Sequence, residues 1–210
     1  MRESKEATNV VLPLAGGSNS LWQGDWDVHD CLLSPTLRVF RQRVLERLNV
    51  SYADLVADRP LTLTFIDRQK TRRLSSSTDL LEALQAEFPA AIIQSVDFAE
   101  LSIRDQVQMA SRTDILIGVH GAGLTHAMFM PQGSCIVEIL PKGVMHKGFR
   151  NLGKLLGHLY FSAHSSSSAA VDSQGWHIAD VELKEERLLE LAGAAIRSMY
   201  HRGVLSIDTA

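Results

Sequence analysis

The sequence predicts an α/β fold, a Rossmann-like parallel sheet with flanking helices. Three observations carry that reading. Strand-like and helix-like segments alternate from residue 61 to about 140, and such alternation favours parallel pairing, because each crossover lays a helix on a sheet face. The apolar run "DILIGV" meets "HGAG" directly, a strand-to-helix junction at the edge where open α/β sheets bind ligands. The chain ends on a strongly amphipathic stretch, "ADVELKEERLLELAGAAIRSMYH", suited to packing back on the sheet.

Residues 11–34 are rich in Gly, Ser, Asn, Asp and Trp and read as irregular loop. "SPTLRVFRQRVLERLN" reads as a capped helix. Ser34 sits at its N-cap, Pro35 in the first turn, and Leu37, Phe40, Val44, Leu45 and Leu48 at helical spacing. "RPLTLTFIDR" alternates apolar and polar residues and stops at charges, as a strand does. "SSSTDLLEALQAEFP" is a helix ended by Pro89, "AAIIQSVDF" a strand, and "SIRDQVQMASRTD" a short helix. "DILIGV" is the third strand, "GLTHAMFM" a short helix and "SCIVEIL" the fourth strand. A helix near "GFRNLGKLLGH", a strand near "YFSAH" and a Ser-rich loop at 165–168 precede the closing helix.

Composition narrows the function classes. Net charge is −3, so no general basic surface argues for nucleic acid or an anionic membrane. No apolar run approaches the roughly 18 residues of a membrane helix, and the opening "MRESKEATNV" carries no apolar core of a signal peptide. Cys135 lies in an apolar run and reads as a buried small hydrophobe. With Cys31 it offers no metal-ligand spacing. "NVS" at Asn49 fits the N-glycosylation acceptor pattern, a faint signal on its own.

The chemistry concentrates at the carboxyl edge of the predicted sheet. Gly121, Ala122 and Gly123 open a helix directly after a strand, where unpaired N–H groups and the helix dipole favour an anion. His120 stands ready to donate to the same oxygens. A tight packing turn is the competing reading of those glycines. Arg68 lies just past "LTLTFI" at the same edge, with Arg72 and Arg73 in the following loop, and guanidinium forks match phosphate oxygens. Glu138, near the end of "SCIVEI", is placed to accept the hydroxyls of a ribose, or to serve in a helix cap or an ion pair. An esterase oxyanion loop is excluded, because the chain contains no Gly-x-Ser-x-Gly elbow. Dinucleotide binding is weak, because Gly-x-Gly-x-x-Gly is not completed after "DILIGV". His126 reads as a helix-surface or packing histidine, and His146, His158, His164 and His177 show no convergent spacing.

Taken together, "FIDRQKTRRL", "STDLLEAL", "RDQVQMASRTD" and "ILIGVHGAGLTHAMFMPQGSCIVEI", in this order, resemble glycosyltransferase family 61. "HGAGLTH" and "LPLAGGSNSLWQGDWDVHDC" resemble its branch of EGF-domain-specific O-GlcNAc transferases. "WHIADVELKEERLLEL" fits the family's closing helix, so the resemblance covers nearly the whole chain and is firmest over 61–145. It implies the C-terminal, nucleotide-holding lobe of a two-lobed GT-B enzyme. That enzyme passes a sugar, with inversion, from a UDP-sugar (UDP-GlcNAc or UDP-xylose) to a hydroxyl of a protein, such as Ser or Thr of an EGF-like domain, or of a glycan.

By the same resemblance His120, Gly121, Ala122, Gly123 and Leu124 cradle the diphosphate. Arg68 and one of Arg72 or Arg73 neutralise it, and Glu138 holds the ribose. Arg72 keeps the family's step to an apolar residue two places on, whereas Arg73 better keeps the distance from Arg68, so both stand. The expected division is 1–60 as a remnant of the N-terminal lobe with an interlobe helix, 61–180 as the nucleotide-sugar-binding domain, and 181–210 as the helix packing back. No cofactor and no metal are expected, because arginines and helix N–H groups can stabilise a leaving diphosphate. The compartment implied is the lumen of the endoplasmic reticulum or Golgi.

Inverting transfer also needs a base for the acceptor proton. Asp25, Asp27 and His29 of "WQGDWDVHD", and His120, are the candidates here, with Asp25 and His120 foremost. Trp22 and Trp26 either stack on a sugar or plug a hinge. Members of the family carry a signal or membrane anchor and a whole acceptor lobe, which these 210 residues do not contain. The alternative is therefore a non-catalytic UDP-binding fragment or degenerate relative.

Overall fold

The structure, a computed structural model, describes residues 27, 33–51, 59–167, 175 and 178–200. Asp25, Trp22, Trp26, His29, Cys31 and His177 lie outside the described residues. Strands β1 (Thr62–Ile66), β2 (Ile92–Val96), β3 (Ile115–Val119), β4 (Cys135–Leu140) and β5 (Leu159–His164) form a Rossmann-like sheet in the order β2-β1-β3-β4-β5. Every pairing is parallel. β3 and β4 are buried along their whole length, which is why they read as continuous apolar runs, whereas edge strand β2 is only half-buried.

Helices cover both faces. α2 (Ser77–Glu87) and α5 (Glu185–Tyr200) lie on one, where Leu80, Leu84, Leu188 and Leu191 pack against Phe65, Ile117 and Val137. On the other face α4 (Gly148–Leu156) and a 3₁₀ helix (Ala122–Phe129) pack Phe149, Leu152, Leu124 and Ala127 onto Ile66, Leu116 and Ile136. α1 (Pro35–Leu48) joins this second layer. Leu37 enters the same cluster, and Leu45 packs with Val107 and Ala110 at the end of α3 (Ile103–Ala110). Ser34 caps α1 through its side chain, and exposed Asn49 ends it in the left-handed conformation that Asn tolerates better than most residues.

One element differs from the sequence reading and one takes a particular form. The short helix expected at "GLTHAMFM" is present and is 3₁₀. The start of the expected closing helix, 179–184, is extended. Val181 forms a parallel bridge with Leu74, and Val181 and Leu183 are buried on either side of exposed Glu182. A period of two over four residues was hidden inside a longer helical pattern. A contact the sequence did not signal ties the starts of β1 and β3. Fully buried Asp114 accepts two bonds from Arg59, at 2.6 and 2.8 Å, and one from the Thr62 N–H at 2.8 Å.

Buried His158 makes the fold acid-sensitive. One ring nitrogen, Nε2, sits 3.0 Å from the Ala127 carbonyl, and burial pushes the imidazole down to about 4. The Ala127 carbonyl opposes that shift and the Arg41 charge adds to it. The folded ring resists a proton that the unfolded ring accepts from about pH 6.5 downward, so stability falls as pH drops from there toward 4. The loss is about 3 kcal/mol at the lower end. Thermal midpoints of wild type and His158→Gln across that range check this: the variant is expected to show the shallower acid limb.

Candidate functional site

In this strand order the chain leaves β1 toward β2 and leaves β3 toward β4, in opposite directions. The two loops therefore part beyond the carboxyl ends of β1 and β3, which is where open α/β sheets bind ligands. The β1 loop brings Arg68 and Arg72 to this point, and the β3 end brings His120 and Gly121. Gly121 adopts φ 153 and ψ 179, a conformation essentially confined to glycine. Both guanidiniums close over its Cα: a Cβ placed there would lie 2.3 Å from Arg68 Nη1 and 3.1 Å from Arg72 Nη2.

The two arginines are held differently. Arg68 donates through Nε to the Thr71 carbonyl at 2.9 Å and through Nη2 to Thr71 Oγ1 at 3.3 Å, which orients its fork. Arg72 takes a left-handed backbone, φ 52, and is half-buried. Burial first, and then the like charge of Arg68, holds its guanidinium below the usual arginine range. Two cations set against each other on a glycine fit an anionic ligand, which would offset both the burial and the repulsion. Arg73, the other candidate, turns away to an exposed pair with Asp180 at 2.6 Å. The structure thus separates two adjacent arginines that sequence left open.

His120 is almost fully buried at the end of β3, and its N–H continues the ladder to the Ile139 carbonyl. Its Nδ1 lies 2.5 Å from Glu138 Oε1, and Tyr160 donates its hydroxyl to Glu138 Oε2 at 2.6 Å. Glu138 is not at the strand's exposed edge but mid-strand in β4, with no accessible surface. Both its oxygens are engaged, so here it orients His120 and presents nothing to a ribose. His146, to which sequence assigned no role, packs tilted beside His120 with ring centroids 4.5 Å apart, and Phe149 meets the same ring edge-on at 5.4 Å.

The glycine loop divides into parts. Gly121 faces the arginines and Ala122 is exposed, whereas Gly123 packs against Ile66, which leaves only 3.1 Å to a Cβ. Leu124 is fully buried and its N–H bonds to the Gly121 carbonyl, so its side chain is core. Beside the loop opens a crevice of about 350 Å³. Ile66, Phe98 and Gly123 supply its apolar lining, and Arg68, Lys70, Asp97 and His126 its charged or titratable side chains. Asp27, the described member of the tryptophan-flanked cluster, is exposed, and its carbonyl accepts from Asn151 at 2.8 Å. Among the described residues no three His, Cys, Asp or Glu side chains converge as a metal site, and no helix is long and apolar enough to cross a membrane.

Comparison with known proteins places this geometry in a family. The chain is 34% identical over 133 residues to the EGF domain-specific O-linked N-acetylglucosamine transferase of Drosophila melanogaster, covering 62% of this chain and 25% of that protein. It is 29% identical over 153 residues to the protein of the same name from Rattus norvegicus, covering 71% and 28%. To the protein O-linked-mannose beta-1,4-N-acetylglucosaminyltransferase 2 of Canis lupus familiaris it is 33% identical over 108 residues, covering 51% and 18%. The chain thus spans a quarter or so of the length of these curated relatives. Residues 25–137, more than half of the 210, match the family described as Glycosyltransferase 61. With the arginine pair, the histidine and the glycine loop all inside or bordering that match, the chain belongs to glycosyltransferase family 61.

Proposed function

We propose that this chain forms the donor-binding lobe of an inverting, UDP-sugar-dependent glycosyltransferase of GT-B type. The observation that carries the reading is the convergence of Arg68 and Arg72 on Gly121 at the strand-order reversal, with His120 at the same loop. In this reading the diphosphate lies against Gly121 and the following N–H groups, gripped by the two forks. The adjoining crevice takes the nucleoside. Glu138 and Tyr160 fix the His120 ring beside the glycine loop.

As the sugar leaves, negative charge grows on the diphosphate, and donors already in place stabilise it without reorganising. Arginines can do this without a metal, so donor binding is expected to be metal-independent. The names of the relatives favour N-acetylglucosamine as the sugar and a hydroxyl of a protein or glycan as the acceptor, an EGF-like domain foremost, which implies work in the secretory pathway. The base that takes the acceptor proton is Asp25 or His120, or a group supplied by an acceptor lobe.

Calorimetric titration with UDP, UDP-GlcNAc and UDP-xylose, with and without Mn²⁺, tests the reading. Micromolar binding unaffected by Mn²⁺, with UDP-GlcNAc tighter than UDP-xylose, is the expected result. No binding by a chain that circular dichroism shows to be folded would overturn it.

A further inference from the structure

His126 sits in the 3₁₀ helix and lines the crevice beside Arg68. Both its ring nitrogens face acceptors. Nδ1 lies 2.9 Å from the Gly123 carbonyl, and Nε2 lies 2.7 Å from Gln106 Oε1. The Gln106 amide cannot be reversed, because its Nε2 donates to the Phe98 carbonyl at 2.8 Å and the Leu101 carbonyl at 2.9 Å. A neutral imidazole donates through one nitrogen only and sets a lone pair against the other oxygen. An imidazolium satisfies both contacts. We propose that His126 takes up a proton when a sugar nucleotide binds with its diphosphate against Gly121 and Arg68 at the edge of this crevice, so that donor binding tightens as pH falls.

The proposal rests on the donor-binding reading above and adds its regulation. In the ligand-free chain, burial holds the ring below the ordinary histidine value, opposed by the Gly123 carbonyl. Charges around the ring do not settle its state. Arg68 and Lys70 from the β1 loop and Asp97 from the end of β2 line the crevice. On α3, Arg104 donates to the Leu48 and Asn49 carbonyls and Asp105 bonds Ser102. Glu100, at the end of the 3₁₀ turn Phe98–Glu100, is exposed, and Phe98 and Phe129 present rings at centroid distances of 4.3 and 6.4 Å. A bound dianion adds the missing compensation for a buried positive ring. The free ring is neutral at pH 7 and the bound ring protonated, so affinity rises as pH falls through the bound-state midpoint and levels off below the free-state midpoint.

The test is calorimetry of UDP-GlcNAc binding to wild type and His126→Asn, in buffers of differing ionisation enthalpy. UDP-GlcNAc is chosen because its diphosphate diester stays fully ionised throughout. The expectation is uptake of about half a proton or more at pH 7 by wild type, and an affinity about tenfold tighter at pH 6 than at pH 8. In His126→Asn most of that uptake is lost. A wild-type ring resonance of His126 whose NMR titration midpoint rises on adding UDP-GlcNAc supports the proposal independently of the variant's fold. Binding by wild type with an unmoved midpoint, or equal proton uptake in the variant, overturns the coupling alone. No binding by wild type at any pH overturns the donor-binding reading and the coupling with it.

Discussion

Removing both guanidiniums, Arg68→Ala with Arg72→Ala, is expected to weaken UDP binding by about a thousandfold, and each single change by roughly ten- to a hundredfold. The basis is a loss on the order of 1.5–3 kcal/mol per charge-assisted contact, with incomplete additivity for neighbours sharing one ligand. The signature that separates ligand binding from a structural role is the response of the empty protein. Arg72 is half-buried beside a like charge, so Arg72→Ala relieves repulsion and its thermal midpoint is expected to change little, whereas Arg68→Ala also loses the two bonds to Thr71. Arg72→Lys keeps the charge and loses the fork, so its affinity should lie between wild type and Arg72→Ala. Arg73→Ala, which removes only the exposed pair with Asp180, should leave UDP affinity within about twofold.

Gly121→Ala is expected to abolish the site almost as completely. The new methyl would fall 2.3 Å from Arg68 Nη1 and 3.1 Å from Arg72 Nη2, displacing both forks at once. The backbone at φ 153 adds strain of about 1–3 kcal/mol for any residue with a Cβ. UDP affinity should fall more than about a hundredfold, and urea midpoints should fall with it. Gly123→Ala is the informative contrast. Its Cβ would press on Ile66 at 3.1 Å, a core contact rather than an arginine. It should cost stability of roughly 1 kcal/mol while UDP affinity changes no more than about threefold. Equal losses of affinity in both variants would contradict the division of the loop.

What sequence could and could not see follows from the physics of each residue. The order of strands and helices was legible because burial imposes a period, and β3 and β4 read as strands because both their faces are covered. The edge carrying His120 and the glycines was legible because a strand running into glycines marks its own carboxyl end. Side-chain direction within a loop has no period. Arg72 and Arg73 are neighbours, yet one reaches Gly121 and the other Asp180, 107 positions along the chain. Glu138 could be placed on a strand but not known to be sealed under Tyr160, since the β4–β5 register that pairs Ile136 with Tyr160 is a tertiary fact. His126 read as a surface or packing histidine, and its contact with Gln106 was not legible because Gln106 arrives from another helix. The extended 179–184 segment was lost inside a longer amphipathic pattern, and Asp25 lies outside the described residues.

The central claim is that a sugar nucleotide's diphosphate sits where Arg68, Arg72 and Gly121 meet. Backbone and arginine side-chain NMR shifts recorded during a UDP titration test it most directly. The account predicts the largest changes at Gly121, Ala122 and the side-chain N–H groups of Arg68 and Arg72, saturating together with the calorimetric isotherm. Saturable binding whose shifts instead gather at the separate cavity formed by Arg38, Arg41, Gln132 and Leu155, with Gly121 unmoved, would contradict it.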